Sequence, residues 1–219
     1  MSKVIHTFPK ADPLTYITRG EGMYLFTEDG CKLLDMNAGS VSYAVLGWSD
    51  ERVRRAMKEQ IDRICHIDYK VWGERNRDEL AELLLSKAEH KLDRVYFAGS
   101  SGSEGCEAAM KLSYQVHYDN GKKTKQWFIS RKQSYHGSTT DALAVSDRPN
   151  LEFFAPIFPT KRAKVSQHHP LREKRAGESD DDYAKRSAKE LEDKILEIGP
   201  ENVCAFIGET IMGAAVNPK

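Results

Sequence analysis

Apolar positions along this chain recur with two periods, and the switches between them mark out the elements. Near the N-terminus, Gly22-Met23-Tyr24-Leu25-Phe26 and Cys31-Lys32-Leu33-Leu34-Asp35 flank Thr27-Glu28-Asp29-Gly30, which reads as a β-hairpin. The Asp-Gly pair supplies the positive φ that a tight turn needs. Residues 37–47 form a loop of small residues, among them Gly39, Ser40, Ser42, Ala44 and Gly47. After Ser49-Asp50-Glu51, the apolar positions Val53, Ala56, Met57, Ile61 and Ile64 fall at helical spacing, with acidic residues in the first turn. A second helix is expected over 78–88, with Leu80, Leu83 and Leu84 as its buried stripe.

From there the pattern becomes strand, helix, strand. Val95 to Ala98 reads as a buried strand, and a helix follows over 103–118, stopped by Asp119-Asn120-Gly121. Gln126-Trp127-Phe128-Ile129-Ser130 is the next strand. Residues 149–175 are polar and proline-bearing, an excursion with few periodic signals. Ser179 and Asp182 then have capping-box spacing, with Asp in place of the usual Glu. Tyr183, Ser187, Leu191, Ile195 and Ile198 share one helical face, and Gly199-Pro200 ends that helix. Val203-Cys204-Ala205-Phe206-Ile207 is a buried strand with Glu209 at its carboxyl end. Alternating strands and helices predict an α/β sandwich with a largely parallel sheet.

In such sheets ligands sit outside the carboxyl ends of the strands. That rule gathers residues 99–103, Ser134-Tyr135-His136-Gly137-Ser138 and Glu209 at one rim. The first of these, Gly99-Ser100-Ser101-Gly102-Ser103, joins a strand to a helix start. Such a junction leaves backbone N–H groups unpaired, with hydroxyls beside them, and forms a socket for a phosphate group.

Composition narrows the function classes. The 219 residues carry 33 Lys and Arg against 33 Asp and Glu, a formal net charge of zero. That balance gives no electrostatic footprint for nucleic acid or an acidic membrane surface. No apolar run is long enough to span a bilayer, and Met1-Ser2-Lys3-Val4-Ile5-His6 has no signal-peptide core. Cys31, Cys65, Cys106 and Cys204 are scattered, with no Cys-x-x-Cys pair, and are expected as reduced, mostly buried thiols of a cytoplasmic protein. No His, Cys or carboxylate cluster has metal-ligand spacing; His168-His169 is the nearest case. Nucleotide binding is disfavoured by the lack of a Gly-x-x-x-x-Gly-Lys-Ser/Thr or Gly-x-Gly-x-x-Gly pattern.

Several motifs together resemble the class III aminotransferases, a subgroup of the fold-type I pyridoxal-phosphate enzymes. The hairpin at 22–35 resembles the family's N-terminal ribbon. Leu46-Gly47-Trp48-Ser49-Asp50 resembles its Leu-Gly-His segment, with Trp48 in place of the His. Ser101-Gly102-Ser103-Glu104, followed by Glu107-Ala108-Ala109 and Lys111, is similar to its phosphate-binding turn. Ser134-Tyr135-His136-Gly137-Ser138 is similar to its Tyr-His-Gly motif, and Phe206-Ile207-Gly208-Glu209 to its Ile-x-Glu-Pro segment, with Thr210 where Pro is usual.

The resemblance implies an incomplete fold-type I transferase, with a mostly parallel sheet flanked by helices. Residues 1–50 would be the N-terminal segment of the small domain, and 51–219 the first part of the large cofactor-binding domain. It implies pyridoxal 5′-phosphate as cofactor, held by Ser101, Gly102, Ser103, Tyr135, His136 and Glu209. Gly102 and Ser103 would take the phosphate, Tyr135 would lie against the pyridine ring, His136 would support the turn, and Glu209 would sit near the ring edge. The expected reaction moves an amino group from an amino acid or amine to a 2-oxo acid. The intact enzyme would be a homodimer with its active site at the interface, and with loop 37–47 near the substrate pocket.

Each residue also has a plainer reading. Ser101 to Ser103 is equally a helix N-cap, Tyr135 and His136 a turn aromatic and its polar neighbour, and Glu209 a structural acceptor. His66, His90 and His117 read as ordinary surface or helix residues, and 178–197 as a solvated helix face. In the family, the Schiff-base lysine and the acidic partner of the pyridine nitrogen lie downstream of the Ile-x-Glu segment. The sequence ends at Asn217-Pro218-Lys219, before a matching motif for either, so no lysine here is assigned that role. The expectation is a fragment with no complete catalytic residue. Its alternatives are half of a split enzyme or a non-catalytic partner acting by association, or a lyase, racemase or mutase of the same fold.

Overall fold

The computed structural model describes residues 15–39, 44–88, 91–148 and 152–213. These residues fall into two compact units, 1–89 and 90–219. The expected loop at 37–47 lies partly outside the described residues, as does His90.

In the first unit, β1 (Ile17–Glu21), β2 (Tyr24–Thr27) and β3 (Lys32–Leu34) form an antiparallel meander in the order β1-β2-β3. The predicted hairpin is β2 and β3, with Gly30 at φ +87° in its turn. β1 is an additional edge strand that the periodicity did not reveal. Helix α1 (Glu51–Arg63) starts at Asp50, whose carboxylate accepts from the Arg52 and Val53 N–H groups. The Arg52 guanidinium bonded to it, and after it those backbone N–H groups, hold the Asp50 carboxyl down to about 2. Helix α2 spans Arg75–Lys87. The stripe predicted as buried on α2 is exposed instead: Leu80, Leu83 and Leu84 all face solvent, as do Val53, Met57 and Ile61 on α1. Helical spacing identifies which residues share a face, and says nothing of whether a partner covers it.

The second unit holds α3 (Gly102–Asp119), β4 (Trp127–Arg131), α4 (Thr140–Val145), β5 (Arg162–Val165), α5 (Pro170–Glu173), α6 (Asp180–Ile198) and β6 (Val203–Ile207). Its sheet has the order β5-β4-β6 with every pair parallel. Successive side chains of the central strand point to opposite faces. Phe128 packs with Met110, Val145 and Cys204 under α3 and α4, while Ile129 packs with Val165 and Val203, against Leu191, Ile195 and Ile198 of α6. The sheet is therefore covered on both sides, as expected for parallel strands.

Two differences from the sequence reading concern this unit. Val95 to Ala98 is not a strand and joins neither sheet, and Tyr96 within it is 77 % exposed. An apolar run of this length becomes a strand only where a neighbour offers a ladder. β5 arises inside the polar excursion, where Arg162-Ala163-Lys164-Val165 shows no apolar run. α6 follows the prediction closely: Ser179 caps it by accepting from the Asp182 N–H, and Gly199 ends it. Here the Asp182 carboxylate bonds the Ser179 hydroxyl.

Two smaller expectations also change. The cysteines are not mostly buried, since Cys31 and Cys65 are exposed and only Cys204 is buried. Cys31 and Cys65 lie in the first unit, where no buried apolar cluster surrounds them among the described residues. His117 is more than a surface residue, because its Nε2 lies 2.9 Å from the Cys204 carbonyl oxygen and ties α3 to β6.

Candidate functional site

The start of α3 is built by a reciprocal cap. Ser101 is the N-cap residue, and its hydroxyl oxygen accepts from the Glu104 N–H at 3.2 Å. The Glu104 carboxylate folds back to accept from the N–H groups of Ser100 and Ser101, each at 3.1 Å. Among the described residues, this leaves the Gly102 and Ser103 N–H groups without a protein acceptor. A β-carbon added at Gly102 would meet nothing within 4 Å, so the helix start has free space beside this residue. At the first turn of an 18-residue helix, they are donors at the positive end of an aligned set of peptide dipoles.

The second component is the turn that follows β4. Tyr135 donates its backbone N–H to Glu209 Oε1 at 2.9 Å, and Ser138 donates its own to Ser103 Oγ at 2.9 Å. These two bonds join the ends of β4 and β6 to the start of α3, so the segments separated in sequence do meet at one rim. Ser103 accepts through its oxygen and keeps its hydroxyl proton to donate elsewhere. Between them Gly137 is buried at φ +141°, and a β-carbon there would lie 2.6 Å from Ser103 Oγ and 2.9 Å from Ala142 Cβ. Only glycine fits this space and this backbone conformation.

The remaining side chains of the turn are held more loosely or left open. The Tyr135 hydroxyl lies 3.1 Å from Ser138 Oγ, and the Arg148 guanidinium stands 4.9 Å from the Tyr135 ring centre. His136 is 8 % exposed, and its Nε2 has no hydrogen-bond partner among the described residues; Thr139 Oγ1 is in the same condition. Burial lowers the His136 pKa, so the imidazole is neutral at pH 7. Glu209 Oε2 accepts from the Gly213 N–H at 3.3 Å.

Each residue singled out from the sequence is thereby placed. Gly102, Ser103, Tyr135, His136 and Glu209 come together, and Ser101 serves as the helix cap. The sequence reading left out three residues that support this corner. Ser146 accepts the His136 N–H at 2.8 Å, Glu107 accepts two amides of α4, and Lys164 bonds the last carbonyls of that helix. Glu107 falls within the motif already noticed, whereas nothing in the local pattern marks Ser146 or Lys164.

The arrangement suits a phosphate group. Two unpaired amides and a hydroxyl proton at a helix start match phosphate oxygens. His136 Nε2 and Thr139 Oγ1 are buried polar atoms at this corner with hydrogen-bonding capacity left over among the described residues.

Comparison with known proteins assigns the chain to a family. The family model described as aminotransferase class-III matches residues 7–216. An uncharacterized aminotransferase of Schizosaccharomyces pombe is 39 % identical over 96 % of this chain and 46 % of its own length. Gamma-aminobutyrate transaminase 1 of Oryza sativa subsp. indica is 34 % identical over 90 % of this chain and 38 % of its own. The crystal structure of an omega transaminase from Pseudomonas jessenii in complex with PMP superposes with a TM-score of 0.83 at 35 % identity, covering 91 % of this chain and 44 % of that one. The chain thus spans less than half the length of these relatives and corresponds to part of a fold-type I domain. By its motifs, its partial fold and the family match across nearly its whole length, this chain belongs to the class III aminotransferases.

Proposed function

We propose that this chain supplies the phosphate corner and one wall of the ring site in a pyridoxal-phosphate-dependent aminotransferase. The observation that carries this reading is the pair of unpaired amides at Gly102 and Ser103 beside a Ser103 hydroxyl already fixed by Ser138. Gly102 and Ser103 would hold the phosphate, Tyr135 would offer its ring to the pyridine, and Glu209 keeps the Tyr135 backbone in place. His136 carries an open Nε2 in a buried setting and supports the turn through its backbone. The chemistry this cofactor supplies when bound is transfer of an amino group from an amino acid or amine to a 2-oxo acid. Relatives named as a gamma-aminobutyrate transaminase and an omega transaminase support amino-group transfer as the reaction.

The exposed apolar stripes on α1 and α2 further support association of this chain with a second copy or with another part of the enzyme. Light scattering across a concentration series checks that point, and a mass that stays monomeric throughout contradicts it.

The cofactor reading is tested by equilibrium dialysis of the purified chain against pyridoxamine 5′-phosphate and against pyridoxamine. Both are amines, so neither labels surface lysines as an aldehyde would. A phosphate held by two amides and a hydroxyl should make the phosphorylated form bind at least about tenfold more tightly. Equal affinity for the two forms would reject the assignment of this corner.

A further inference from the structure

Helix α4 is only six residues long, too short to hold itself, and yet three of those residues are buried. Its own N-cap, Thr139, makes no side-chain cap bond. The work is done from outside. At its start, Glu107 Oε1 of α3 accepts from the Asp141 and Ala142 N–H groups at 3.1 and 3.3 Å. At its end, the Lys164 ammonium of β5 donates to the Val145 and Ser146 carbonyl oxygens at 2.6 and 2.7 Å, and to Ser130 Oγ at 3.0 Å. A carboxylate at the N-terminus and an ammonium at the C-terminus each meet the favourable end of the helix dipole.

What this clamp holds in place is the candidate cofactor corner. Ser146 Oγ donates to the Ala142 carbonyl oxygen at 2.8 Å and accepts from the His136 N–H at 2.8 Å. Gly137 is wedged between Ala142 and Ser103, and the next amide, Ser138, lies on the Ser103 hydroxyl. Any shift of α4 would therefore move the His136–Ser138 backbone relative to Ser103.

We propose that Glu107 and Lys164 are positioning residues: by clamping both ends of α4 they fix the turn that orients the Ser103 hydroxyl toward the cofactor phosphate. This rests on the cofactor reading above, but the clamp and the reading are separable by experiment. Neither residue touches the phosphate; both act through Ser146 and Gly137.

The test is amide hydrogen exchange on the 219-residue chain, resolved at His136 and Ser138, combined with dialysis against pyridoxamine 5′-phosphate and pyridoxamine. Glu107→Ala and Lys164→Met should each speed exchange at these two amides by about tenfold, with β4 and α6 unchanged. Both should also lower the preference for the phosphorylated amine. Glu107→Gln keeps the acceptor oxygen and should restore both properties to within about twofold of the parent. If the first two variants unfold throughout, Ser146→Ala decides, since it removes only the hydroxyl that joins Ala142 of α4 to the His136 amide. Unchanged exchange at His136 in the folded variants overturns the proposal. Accelerated exchange in a chain whose parent shows no preference for the phosphorylated amine leaves the clamp standing, and overturns both the cofactor reading and the positioning role.

Discussion

Ser103 performs two tasks with one hydroxyl. Its oxygen accepts the Ser138 amide, and its proton stays available beside two unpaired helix amides. Ser103→Ala removes both, and should lower the affinity for pyridoxamine 5′-phosphate by about tenfold in dialysis while leaving pyridoxamine unaffected. Gly137 sits behind it, and the space for a side chain is already taken by Ser103 and Ala142. Gly137→Ala should cost about 1–3 kcal/mol or more, seen as a lower midpoint in urea unfolding. Lys164 titrates in a different range. Burial lowers its pKa from 10.5 to about 8 in the folded chain. Between those values the unfolded state binds more protons, so stability from this group rises with pH and is lost as pH falls through about 8. Urea melts of the parent and of Lys164→Met at about pH 7 and about pH 10 should show the parent gaining relative to the variant at the higher pH. A difference that shrinks instead would contradict the buried-ammonium assignment.

At the scale of elements, legibility followed whether a segment carries its own signal. α6 reads directly from sequence because its cap at Ser179, its apolar face and its stop at Gly199 are all local. β4 and β6 read directly because Phe128, Ile129, Val203 and Cys204 are buried on both faces of the sheet, which demands consecutive apolar residues. β5 shows no signal of its own because Arg162-Ala163-Lys164-Val165 carries no apolar run, and Lys164 is half-buried through polar contacts that composition does not announce. Val95 to Ala98 is the opposite case: it has strand composition but no place in either sheet. The candidate corner is largely legible as a meeting of segments, since Gly102, Ser103, Tyr135, His136 and Glu209 stand in recognisable local patterns. Glu107 as a cap for α4, Ser146 and Lys164 were not, because their roles exist only once distant elements pack together. The core of these elements should behave accordingly. Ile129 is fully buried at the centre of the sheet, and Ile129→Ala should destabilise the fold by about 2–5 kcal/mol in denaturant unfolding.

At the scale of the molecule, the second unit is a parallel sheet with a helix layer on each side and a polar corner at its carboxyl rim. Three connections that lie far apart along the chain are joined there by two backbone-to-side-chain bonds, Tyr135 to Glu209 and Ser138 to Ser103. The central claim is that this corner, and in particular the Gly102 and Ser103 amides, receives the phosphate of the cofactor. The most direct measurement is a titration of the isotope-labelled chain with pyridoxamine 5′-phosphate, followed by amide nitrogen–proton correlation spectra. The account predicts that the Gly102 and Ser103 signals move downfield together and saturably, and that pyridoxamine does not move them. If those two signals stay fixed while other amides respond, the phosphate binds elsewhere and the account is wrong.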